Sequence, residues 1–114
     1  MISASWLHAA AKIAIAMWGP AHCGAVHQRV VNHLPQGLPA DTAAWAYVGY
    51  SRSSPNHCTI AYNGRDRIPW LWWRVCDATV HEWGHLTGHK GTLKDPSSPM
   101  YCRLHPIPQC GRGP

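Results

Sequence analysis

The sequence predicts a small α+β domain, an expectation that rests on three observations. Two segments, 4–18 and 69–87, carry helical periodicity, and three short extended segments lie between them. After Gly88 the chain turns to Gly, Pro and Ser in place of further regular structure. At 114 residues it makes one domain, 1–114, with a single modest core. Hydrophobic residues are 46% of the chain and charged residues 13%, a globular composition that excludes a disordered polymer. No internal repeat divides it, and no linker is long enough to separate two domains.

The first helix is Ala-rich, with Trp6, Ala10, Ile13 and Met17 at helical spacing, and Gly19-Pro20 stops it. A short strand is expected at 26–31, followed by a Pro/Gly loop through 34–39. Trp, Tyr and Val incline 45–50 toward strand. Residues 58–63 are the strongest strand in the chain, closed by the Asn63-Gly64 turn signal. Pro69 is placed to open the second helix, and Gly88 to cap it near Thr87.

Composition narrows the partners. The formal net charge is +5, but Arg29, Arg52, Arg65, Arg67, Lys90 and Lys94 are dispersed with no dense run. A basic protein without a nucleic-acid motif is expected, and nucleic acid is not the expected partner. Seven Trp without any Phe make either a core padded with indoles or an aromatic binding surface. Five Cys point to an oxidising, secreted or extracellular destination, and none stands in a Cys-x-x-Cys pair. Cys102 with Cys110, and Cys58 with Cys76, are the expected disulfides. The apolar stretch 6–18 is interrupted by Lys12 and preceded by no basic residue, so no signal peptide is expected; it is also too short to span a membrane.

The chemistry is concentrated in His81-Glu82-Trp83-Gly84-His85. Residues four apart share a helix face, so both imidazoles can address one metal ion. Glu82, the only Glu in the chain, is turned about 100° from the first histidine and can reach a water on that metal as a general base. Zinc suits the set, because neutral imidazole binds it well and a catalytic site keeps a position open. Trp72, Val75, Cys76, Thr79, Trp83 and Leu86 project away from the histidines, giving the helix an apolar side to bury. His8, His22, His27, His33 and His57 read as surface or core histidines.

The run His81 to Gly88, followed after a loop by Ser98-Pro99-Met100-Tyr101, resembles the metzincin zinc metallopeptidases, and among them the matrixin-like group. Gly88 matches the helix-ending Gly of that family and Met100 its Met-turn; Asp95-Pro96 is matrixin-like as well. The resemblance covers about 58–101. It implies a truncated metzincin-like domain, a twisted sheet with a backing helix and an active-site helix, with 58–63 as the edge strand along which an extended substrate lies. It also implies a zinc-dependent endopeptidase that hydrolyses peptide bonds with a metal-activated water, Glu82 acting as general base on a peptide or protein substrate; separately, a monomer is expected. One position departs from the pattern: the third ligand belongs three residues after Gly88, where this chain has Gly91. His89, brought back by a chain break at Gly88, is the expected third ligand beside His81 and His85. Asp95, His105 or no third protein ligand are the alternatives. Loss of that ligand would leave a degenerate, non-catalytic zinc-binding protein, and a basic nucleic-acid-associated metalloprotein is the other alternative.

Overall fold

The computed structural model describes residues 2–114. Helix α1 (Ala4–Trp18) starts where the Ser3 hydroxyl accepts the Trp6 amide at 3.2 Å, and it stops at Gly19, whose φ of 79° takes the chain out of the helix. Three strands follow: β1 (His27–Val31), β2 (Ala44–Ala46) and β3 (Thr59–Asn63). Helix α2 (Trp72–Leu86) and a single 3-10 turn, Pro108–Cys110, complete the order. The molecule is thus a small α+β domain with two helices and a mixed three-stranded sheet, as the segment pattern predicts.

The sheet runs β1-β3-β2, with β1 parallel and β2 antiparallel to β3. All five residues of β3 are buried. This corrects the expected edge strand: 59–63 is central, and the open edge beside α2 belongs to β2. The bonding of β2 is informative. Asn63 N–H donates to the Ala43 carbonyl at 2.7 Å, and Tyr47 N–H to the Thr59 carbonyl at 3.0 Å. Bonding alternates along an antiparallel strand, so the intervening amide groups of Ala44 and Ala46 turn to the outer edge. The strand is shorter than the expected 45–50 because the chain turns away through Gly49, at φ 82°.

The helices pack closely because α1 presents Ala10 and Ala14, both fully buried. Tyr62 links the layers. Its hydroxyl accepts Gln28 Nε2 at 3.0 Å and lies 2.6 Å from the Thr79 hydroxyl on α2, which itself donates to the Val75 carbonyl. The indoles divide between the two readings. Trp18, Trp70, Trp72 and Trp83 donate their Nε1–H to the carbonyls of Val80, Asn63, Cys110 and Gly19, so they are core struts with satisfied polar ends. Trp45 and Trp73 instead line a cavity of about 1140 Å³. The Trp70–Leu71 turn also delays α2, which begins at Trp72 and not at Pro69, because Leu71 N–H bonds the Pro69 carbonyl at 3.0 Å.

Two disulfides form, Cys23–Cys58 and Cys76–Cys110, and Cys102 is free and exposed. Both expected pairings are therefore corrected. The parallel register His27↔Thr59 brings the segment after α1 alongside the start of β3, which gives Cys58 its partner. Cys76 faces the tail across the core and takes Cys110. Among the described residues no helix is long and apolar enough to cross a membrane.

Candidate metal centre

Helix α2 places His81 and His85 one turn apart on a single face, at the base of a cavity of about 1140 Å³. With Glu82 they form a group whose ligand atoms lie within 4.8 Å of one another, and this group can hold a metal ion. Each imidazole is oriented from behind. His81 Nδ1–H donates to the Pro99 carbonyl at 3.2 Å, and His85 Nδ1–H to the His89 carbonyl at 3.0 Å. Those bonds assign the hydrogen to Nδ1 in both rings and leave both Nε2 lone pairs free. The two Nε2 atoms face each other at 3.1 Å. Two lone pairs at that separation repel unless a cation lies near both. Burial, and then the neighbouring His85, lower the pKa of His81, and a metal ion is a cation that both lone pairs can share.

Glu82 is buried, at 8% exposure. Burial raises its pKa to about 8, a hydrogen bond with the Ala46 backbone opposes the rise, and the charge of Asp77 adds to it. The metal-free carboxyl is therefore mainly protonated at pH 7, and a dication beside it favours the ionised form. Metal uptake at pH 7 is expected to release protons, the ionisation of Glu82 contributing to them. Titration calorimetry in buffers of different ionisation enthalpy measures this; buffer-independent heats would contradict it.

The loop that follows α2 packs Met100 against that helix. Met100 is buried at 5% exposure, and a Cβ on Gly84 would meet its Sδ and come within 3.1 Å of its Cε. Gly84→Ala is expected to displace the Met100 side chain, an overpacking cost of about 1–3 kcal/mol offset by about 1 kcal/mol of helix propensity, read as a modestly lower unfolding midpoint. Pro99, one residue earlier, supplies the carbonyl that orients His81.

His89, the expected third ligand, is not brought into the group. Gly88 does break the helix, at φ 87°, but the turn carries the His89 ring onto Trp18, with centroids 4.3 Å apart. Its Nδ1–H donates to the Thr87 hydroxyl at 2.9 Å, and only its carbonyl serves the centre, through His85. Asp95 sits in an exposed loop, where its carboxylate accepts from Ser97. Gly91 faces the site: a Cβ there would lie 3.9 Å from His85 Cε1, so the glycine removes a side chain at the position where the resemblance expects a ligand. His105 stands beside Asp77, whose carboxylate accepts its backbone amide at 2.8 Å.

The orienting carbonyls of Pro99 and His89 were not legible in the sequence, since main-chain acceptors leave no residue signature. Comparisons with protein-family models, with curated proteins and with solved structures give no match to this chain.

Proposed function

We propose that this chain is a zinc-dependent peptidase of metzincin-like design. The observation that carries the reading is the convergence of two tautomer-fixed imidazoles, Nε2 to Nε2 at 3.1 Å, next to a buried Glu on the same helix. Neutral imidazole and an adjacent carboxylate suit zinc. Zinc, when bound, supplies a Lewis acid that brings the pKa of a water to about 7. Glu82 takes the proton from the attacking water and delivers it to the leaving nitrogen. The outward N–H of Ala44 and the carbonyls of Ala44 and Ala46 offer main-chain pairing to an extended peptide, the Ala46 N–H being taken by Glu82. Leu38, Val48 and Ile68, all exposed, rim the same cavity and offer apolar contact to its side chains.

A second reading, a metal-binding protein without turnover, draws on Gly91. Zinc uptake measured beside cleavage of an unfolded protein substrate separates the two. The peptidase reading expects cleavage that a chelator abolishes and added zinc restores. Zinc uptake with no cleavage of any peptide would favour the second reading.

A further inference from the structure

His105 repeats the pattern of His81 and His85. Its Nδ1–H lies 3.1 Å from the Arg103 carbonyl, as theirs lie against Pro99 and His89. The hydrogen is again on Nδ1 and the lone pair on Nε2. That Nε2 is buried and has no hydrogen-bond partner, which burial ordinarily penalises. Asp77 Oδ2 lies 4.0 Å from the same Nδ1, so a buried carboxylate stands behind the ring. Ligating histidines commonly have such an outer partner. Asp77 itself is 1% exposed, and its Oδ1 is likewise unpartnered.

Position supports a connection to the centre. Asp77, His81 and His85 follow one another at four-residue intervals along α2, on one stripe of the helix. Cys102, Arg103 and Leu104, immediately before it, line the cavity that holds His81, Glu82 and His85. Nε2 of His105 is outside the group of ligand atoms within 4.8 Å, and residues 102–107, which form neither helix nor strand, would have to shift to bring it in.

We propose that His105 is the third protein ligand of the metal, drawn in through Nε2 on metal binding, with Asp77 as the positioning residue behind it. This deepens the zinc reading and rests on it. Gly91 is then a displaced ligand position rather than a lost one: the third imidazole comes from the tail.

The test is zinc affinity by competition with a chromophoric chelator, for the full chain and for His105→Ala and Cys102→Ser, with X-ray absorption counting imidazole ligands in the zinc-loaded wild type. Three imidazoles in wild type are expected, with affinity about 100-fold weaker in His105→Ala and unchanged in Cys102→Ser. The backbone amide of His105, not its ring, holds Asp77, so the variant keeps that anchor; the wild-type count needs no variant at all. Two imidazoles in wild type, equal affinity in His105→Ala, or a sulfur ligand lost in Cys102→Ser would each overturn the assignment while leaving the zinc reading intact. No zinc uptake by wild type would remove both.

Discussion

Glu82→Gln is expected to lower peptide hydrolysis by about 10²–10⁴-fold while leaving zinc uptake within a few-fold of wild type. The substitution keeps the shape of a side chain that is 8% exposed and removes only its capacity to accept a proton. His81 and His85 retain their carbonyl partners, because neither Pro99 nor the His89 main chain depends on residue 82. Metal content and steady-state cleavage, measured on the same preparation, give the two quantities. Undiminished turnover in the variant would sink the assignment of the base. Loss of zinc together with turnover would instead make Glu82 a ligand.

The second large effect concerns stability. Replacing Cys76 and Cys110 together by Ala is expected to cost about 4 kcal/mol, because the bridge closes a loop of sequence separation 34 and constrains the unfolded chain accordingly. For a domain of 114 residues this corresponds to about 15–20 °C in unfolding midpoint. The bridge joins the middle of α2 to the tail carrying His105, so zinc affinity is expected to fall as well. Thermal unfolding of metal-free protein isolates the first effect from the second. A shift under about 3 °C would mean that Trp72, whose indole donates to the Cys110 carbonyl at 2.8 Å, holds the tail unaided.

Local features were legible in the sequence and long-range pairings were not. Helix α1 follows from Ala periodicity and Gly19, and the His81–Glu82–His85 face from four-residue spacing on α2, because both depend on neighbours within a turn. The strand at 59–63 was likewise plain from its composition, yet its central place depends on β1 and β2, two weak segments whose pairing no local pattern announces. The disulfides failed for a related reason. Cys102 and Cys110 are near in sequence, while Cys76 reaches Cys110 only once α2 and the tail pack across Trp72. His105 appeared in the sequence only as one alternative among several, since a buried, unpartnered nitrogen is a property of the folded chain.

The brevity of β2 bears on how the protein behaves at high concentration. An open sheet edge is a template on which other chains can add strands, and long flat edges drive association. Here the edge beside the cavity turns outward main-chain groups only at Ala44 and Ala46, the Ala46 N–H already bonded to Glu82, before the backbone departs at Gly49. So short a stretch gives an added strand only a few bonds with which to offset its lost freedom. The same three residues that would admit an extended strand thus limit how far one could be extended along this edge of the sheet.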